Sequence, residues 1–195
     1  LETYDKSEWR SYYKRLNHSE LAAQLAPIIR DKTKNIVVRR TAIDIAEACL
    51  RLDLINDLKE VAFDKLENDH IRAQATHGLT KILPNDQRKD LIPLATQSWG
   101  DADDEIKGWA LTALWPNNIT TRQLFSTLTT PKNKSLSGSY SFFLYKLKFP
   151  SLDADDALAA IEWLSGELIR NDAERSFSKI IPDLLSEIWK NTEDP

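Results

Sequence analysis

Val38-Arg39-Arg40-Thr41-Ala42, Ile71-Arg72-Ala73-Gln74-Ala75 and Ile106-Lys107-Gly108-Trp109-Ala110 share one pattern: an aliphatic residue, a base, two variable residues and an alanine. The intervals between them are 33 and 35 residues. A second stripe repeats at a matching interval. Leu58, Val61 and Ala62 are answered by Leu91, Leu94 and Ala95, again 33 residues on. A period of this length marks stacked helical hairpins, because one hairpin cannot bury its apolar face alone. The aliphatic residue and the alanine lie one turn apart on one face, and the small alanine lets a neighbouring helix come close. The base lies outside that stripe, within reach of an acidic side chain or a carbonyl of the adjacent repeat.

Helical signals continue on both sides of this core. Ser7 is placed to cap a helix through Trp9, Tyr12, Tyr13 and Leu16, and Ser19 precedes Leu21, Leu25, Ile28 and Ile29. Pro27 is expected to kink or shorten that second helix. Asn35 opens a segment with Val38, Ala42, Ile45, Ala46, Cys49 and Leu52 on one face, and Leu54, Leu58, Val61, Ala62 and Leu66 form the next stripe. Asp69 precedes Ile71, Ala75, Gly78, Leu79 and Ile82, ended by Pro84-Asn85. Asp103 and Asp104 precede Ile106, Ala110, Ala113 and Leu114, ended by Pro116-Asn117. Acidic residues at such starts suit the positive end of the helix dipole. Thr120 or Thr121 caps a helix holding Leu124, Phe125 and Leu128. The rhythm then changes: 131–138 reads as a loop, and the aromatic run Tyr140, Phe142, Phe143, Tyr145 as a further helix. Asp153 caps Leu158, Ile161, Leu164 and Leu168, and a last helix carries Phe177, Ile181, Leu184, Leu185, Ile188 and Trp189, with Pro182 a point where it can split.

Composition bounds the function. The chain has 195 residues, 42% hydrophobic and 29% charged, which is a globular balance. Five glycines are few for a fold built on tight turns, so helices are favoured. The net charge of -4 and the absence of a long basic run make nucleic acid an unlikely partner, since phosphate binding needs clustered Lys and Arg. No apolar stretch approaches the roughly 20 residues that cross a bilayer, and no signal peptide is visible. A membrane is therefore not expected, and a cytoplasmic location is. The single cysteine, Cys49, excludes an internal disulfide and reads as a buried small hydrophobe. The chain begins at Leu1 and contains no methionine, which suggests a piece cut from a longer protein or a processed product.

Residues that carry chemistry are sparse. No phosphate-binding glycine loop is present. His70 and His77 are two turns apart, too far for the usual i, i+4 zinc pair, so neither a metal nor any other cofactor is expected. Nothing marks Cys49 as an activated thiol toward His77. The acidic clusters Asp101, Asp103, Asp104, Glu105 and Asp153, Asp155, Asp156 lack the calcium-loop spacing and read as helix starts. Lys132, Lys134, Lys146 and Lys148 interleave with Tyr140 and Tyr145, a combination that can bind single-stranded nucleic acid. A solvated loop beside a buried aromatic helix is the simpler reading. Trp109, Trp115 and Trp163 are expected in the core, whereas Trp9, Trp99 and Trp189 lie near segment ends. No catalytic residue is assigned, and no ATPase, nuclease or hydrolase activity is expected.

The repeat resembles the HEAT family, especially the short HEAT-like repeats of phycobilisome lyases, over about residues 35–128. Their motif is an acidic turn, then aliphatic, Arg, two residues, Ala and a later Leu. Asp101-Ala102-Asp103-Asp104-Glu105-Ile106-Lys107 with Ala110 and Leu114 is similar, with Lys for Arg. Asn68-Asp69-His70-Ile71-Arg72 with Ala75 and Leu79 is similar too, and Asn35-Ile36-Val37-Val38-Arg39 with Ala42 departs from the motif in its Asn. A second resemblance is carried by Ala113-Leu114-Trp115-Pro116, Leu124-Phe125, Leu128-Thr129-Thr130-Pro131-Lys132-Asn133, Gly138-Ser139-Tyr140 and Ile161-Glu162-Trp163-Leu164. These are similar to helical regions that follow the NTPase module in bacterial NACHT-type (STAND) proteins, where helical repeats sense a trigger.

The resemblances imply an all-α fold: an α-α superhelix (solenoid) of HEAT-like hairpins with flanking capping helices. Residues 1–34 are the N-terminal caps, 35–130 three hairpins (35–66, 69–98 and 103–129) and 131–195 a C-terminal helical extension, in one continuous domain. The implied function is a non-catalytic protein-interaction or scaffold module, a fragment of a larger multidomain protein, in sharper form the sensor-side helical region of a NACHT-type NTPase. A nucleic-acid-binding HEAT-like repeat is the alternative. A protein partner, or neighbouring domains of the same chain, would meet a surface formed by Arg39, Arg40, Arg72, Lys107, Lys132, Lys134, Trp99 and Trp189.

Overall fold

The computed structural model describes residues 6–96, 100–133, 137–167 and 177–190. Among these residues the fold is all-helical, with no strand. The chain divides into two compact units, 1–87 and 88–195. The division falls inside the hairpin expected at 69–98.

The first unit holds α1 (Lys6–Lys14), α2 (Leu21–Arg30), α3 (Ile36–Ala48), α4 (Ile55–Phe63) and α5 (Asp69–Ile82). Alternate helices are neighbours. The α3 helix packs between α1 and α5, and α2 lies beside α4, so two layers form. The core is Leu21, Leu25, Ile29, Ala42, Ile43, Ala46, Leu54, Leu58, Val61, Ala62, Ile71, Ala75 and Leu79. Asn35 and Asn68 cap α3 and α5, each side chain accepting from the backbone N–H two residues on, at 2.8 and 3.0 Å. This satisfies one of the donors that a helix start leaves open. Pro27 lies within α2, which runs on to Arg30.

The second unit holds α6 (Ile92–Thr96), α7 (Glu105–Leu114), α8 (Thr121–Thr127), α9 (Ser139–Lys146), α10 (Ala154–Glu167) and α11 (Ile180–Lys190). The same alternation recurs: α7 packs on α9, and α8 on α10. Thr120 and Gln123 form a reciprocal capping box at the start of α8. Asp153 caps α10 by accepting from Asp156 N–H at 2.8 Å. The aromatic run is a helix, with Tyr140 and Phe143 buried. Pro182 sits in the first turn of α11, where a missing N–H costs nothing, and does not split it.

Several apolar residues assigned to the core face solvent instead. Val38 is exposed together with Ile36 and Val37 in the first turn of α3, whereas its counterparts Ile71 and Ile106 are buried. Leu52, Leu66, Leu158, Ile161 and Leu185 are also exposed. On α10 the buried positions are Ala159, Ala160 and Leu164, one residue out of phase with the expected Leu158 and Ile161. Small alanines are the contact side there, so burial followed helix proximity rather than side-chain size. Trp109, Trp115 and Trp163, expected in the core, are half-buried, as is Cys49. Leu168 lies outside the described residues.

Candidate functional site

The repeated base does structural work. Arg39 is buried at 3% exposure, and its Nε and Nη2 donate to the Ile29 carbonyl at 3.0 and 2.8 Å. Arg72, at 1%, donates from Nε to the Ala62 carbonyl at 3.1 Å. In both cases the acceptor lies ten residues earlier, in the last turn of the preceding helix. The last four carbonyls of a helix have no partner within it. Each arginine fills that need from the next helix and thereby stitches the two together.

Arg39 makes a second contact. Its Nη1 and Nη2 donate to the two carboxylate oxygens of Glu67 at 2.9 and 2.5 Å, a forked pair inside the fold. Burial pushes the Glu67 carboxyl up, but the Arg39 hydrogen bonds, the Asn68 N–H and the Arg39 charge outweigh it and hold the group below its ordinary value. A second buried carboxylate, Glu47 on α3, lies between Arg10 of α1 at one oxygen and His77 Nδ1 of α5, 3.0 Å from the other. Cys49 Sγ donates to the Tyr13 carbonyl at 3.3 Å, and burial raises the thiol above its ordinary value, which is the opposite of activation.

In the second unit the third motif behaves differently. Lys107 is buried, and its Nζ donates to Thr129 Oγ1 at 2.7 Å and lies 4.4 Å from the centre of the Tyr140 ring. Burial lowers its pKa to about 8 against the pull of Asp104 and Asp101. The Tyr140 hydroxyl donates to the Thr129 carbonyl at 2.8 Å and accepts from Thr129 N–H at 2.9 Å. Asp101 accepts from Ile106 N–H and Lys107 N–H at 3.0 and 2.9 Å, so it starts α7 as the acidic-turn reading requires. Desolvation raises its pKa despite those bonds. Asp104, in the left-handed region at φ 57°, takes Lys132: Nζ at 3.0 Å from Oδ1 and N–H 2.7 Å from Oδ2.

These contacts correct the surface expected from the sequence. Arg39, Arg72 and Lys107 are buried and occupied within the chain, because helix carbonyls, a carboxylate and a hydroxyl claim their donors. Arg40 is exposed and reaches Gln74 Oε1 at 3.4 Å. Lys132 is exposed in part, with its ammonium on Asp104 and the Asp101 carbonyl. Trp189 is 65% exposed. Trp99 and Lys134 lie outside the described residues. Of the six described positions, Arg40, Lys132 and Trp189 are exposed and the other three are buried.

Large apolar and aromatic side chains also face outward. Leu158 and Ile161 lie one turn apart on α10, Leu185 and Trp189 one turn apart on α11, and Phe142 and Tyr145 one turn apart on α9, all at least 48% exposed. Charge patterning gave no sign of these faces, since the same spacing also describes a core stripe. Among the described residues no group of three or more His, Cys, Asp or Glu is arranged to hold a metal, and no helix is long and apolar enough to cross a membrane. A shallow pocket of about 220 Å³ in the second unit is lined by Lys89, Ile92, Asn117, Asn118, Ile119, Thr120 and Gln123. Thr120 and Gln123 are already bonded to each other's backbone there. No protein-family model matches the chain, and no significant match is found to a curated protein or to a solved structure.

Proposed function

We propose that this chain is a non-catalytic protein-interaction module built from a stack of HEAT-like helical hairpins. One observation carries the reading: the motif bases Arg39, Arg72 and Lys107 are buried and spent on contacts within the chain, while large apolar side chains stand exposed at helical-turn spacing on α10 and α11. Leu158, Ile161, Leu185 and Trp189 are each about half exposed or more. Exposed apolar side chains grouped this way are characteristic of protein contact surfaces, where Trp is a frequent anchor. The alternation of neighbouring helices in each unit supports the hairpin-stack part of the proposal.

In its sharper form the module is the sensor-side helical region of a cytoplasmic, bacterial NACHT-type NTPase. The support for that form is the sequence resemblance in segments between Ala113 and Leu164. The test is site-specific photocrosslinking in cells, with the reactive residue at position 158 or 185 and, as control, at exposed Lys81. Discrete adducts with one or a few proteins, or with other domains of a longer parent chain, are expected at 158 and 185 alone. Adducts no stronger than those at position 81 would remove the basis of the proposal.

A further inference from the structure

We propose that the C-terminal end of α9 is a docking site for an acidic peptide segment of the partner, an inference that rests on the interaction-module reading above. Phe142 and Tyr145 are 52% and 64% exposed on one face of α9. Each ring carries an ammonium over one face: Lys146 Nζ is 4.2 Å from the centre of Phe142, and Lys179 Nζ 3.8 Å from the centre of Tyr145. Lys179 also donates to the Tyr145 carbonyl at 2.9 Å, which fixes it at the helix end. Lys148 follows two residues beyond α9, exposed, with its own carbonyl held by Trp115 Nε1 at 2.9 Å.

What sets these three lysines apart is that they have no carboxylate among the described residues and are gathered beside two exposed rings. Some other lysines of the chain find carboxylates: Lys32 pairs with Asp64, Lys132 with Asp104 and Lys190 with Glu187. Acidic residues outnumber basic ones, 30 to 26, so partners are not scarce. Yet among the described residues none of Lys146, Lys148 and Lys179 has a carboxylate within ion-pair distance. Asp183 lies one turn beyond Lys179 on α11 and does not pair with it. Three cations with no carboxylate among the described residues, beside two exposed rings in a chain of net charge -4, make a local positive patch that a carboxylate-bearing segment complements. Its carboxylates meet the ammonium groups while its backbone and side-chain stems lie on the rings. Single-stranded nucleic acid fits less well. Following its backbone needs a longer cationic track than three lysines provide.

The probe is a fluorescein-labelled peptide of Glu-Leu-Glu-Ala repeats, titrated with the whole chain at low ionic strength and followed by fluorescence anisotropy. Its Gln-for-Glu counterpart and an oligo(dT) of matched charge serve as comparisons. Saturable binding of the Glu peptide is expected, weakened by salt and absent with Gln. The K146A/K148A/K179A variant should bind about tenfold more weakly, the combined effect of three exposed ion pairs. The K14A/K81A/K89A variant should bind like the parent. No binding of the Glu peptide, equal binding by the first variant, or tighter binding of oligo(dT) would each overturn the proposal. Crosslinking at positions 158 and 185 does not use these lysines, so it separates failure of this site from failure of the interaction-module reading.

Discussion

Two glycines inside helices should respond to the same substitution with opposite signs. A Cβ built on Gly108 of α7 would lie 2.1 Å from Tyr140 N and 2.4 Å from both the carbonyl carbon and Oγ of Ser139. Atoms of this kind are comfortable at about 3.5–4.0 Å, so α9 would have to retreat by more than an ångström. Its first turn is not free to do so. Ser139 Oγ donates to the Glu105 carbonyl at 2.6 Å, and Ser139 N–H donates to Glu105 Oε1 at 3.0 Å. Overpacking costs about 1–3 kcal/mol, a broken hydrogen bond about 1 more, and the alanine returns about 1 in helix propensity. The expected net loss for Gly108→Ala is about 1–3 kcal/mol. At Gly78 of α5 the added Cβ would meet Ile43 Cγ2 at 3.5 Å and Leu58 Cδ1 at 3.7 Å, which is ordinary contact. Gly78→Ala should therefore stabilise by about 1 kcal/mol through helix propensity and a less free unfolded chain. Urea unfolding reads both changes. Circular dichroism follows all helices, and tryptophan fluorescence weights the second unit, which holds every tryptophan except Trp9. A Gly108→Ala midpoint equal to the parent's would refute the described approach of α7 and α9. A clear loss in Gly78→Ala would refute the space assigned around α5.

Other outcomes follow from the buried polar contacts. Arg39→Ala leaves the Glu67 carboxylate buried without its partner and should cost about 3–5 kcal/mol in chemical denaturation, with much of the loss recovered in R39A/E67A. Strictly additive single changes would show that the two are not coupled. Lys107 is held at a pKa of about 8, below the 10.5 of an unfolded lysine, so the unfolded chain binds more protons between these values. Stability of the second unit should rise as pH increases from 8 to 10.5, by at most about 3 kcal/mol, and Lys107→Met should flatten that rise. A profile unchanged in the variant would assign the rise to other groups. Ala75 and Ala110 are fully buried, so Ala75→Trp and Ala110→Trp should each lower stability by about 1–3 kcal/mol or more, read as thermal midpoints.

The helices were legible in the sequence because period and caps act locally. The starts at Asn35, Thr120 and Asp153 are short side chains beside the backbone groups they satisfy, whereas α5 was expected to open at Asp69 and is capped by Asn68, and the ends at Pro84 and Pro116 follow from a missing donor. The motif base was legible in part: a reach to a neighbouring carbonyl or acid was foreseen, and Ile29, Ala62 and Glu67 supply it. Treating the same bases as a partner surface ignored that a guanidinium used this way must be buried. The phase of α10 was not legible, since Leu158-Ala159-Ala160-Ile161 fits a core stripe through the leucine or through the alanines, and only the neighbour's proximity decides. Glu47 with Arg10 and His77, and Lys179 over Tyr145, join residues 30 or more apart, with no local pattern to announce them.

The ten-residue reach of Arg39 and Arg72 sets a gauge on the chain. Surface connections between helices ordinarily accept extra residues at little thermodynamic cost. Here the segment from Ile29 to Arg39, and that from Ala62 to Arg72, must return a guanidinium to the carbonyl it left ten residues before. One residue inserted in the first turn of α3 or α5 would rotate the arginine by about 100° around its helix relative to that turn's start, away from its acceptor. These two turns should be intolerant of insertions and deletions even though most of their side chains are exposed, and variation in length should accumulate elsewhere in the chain.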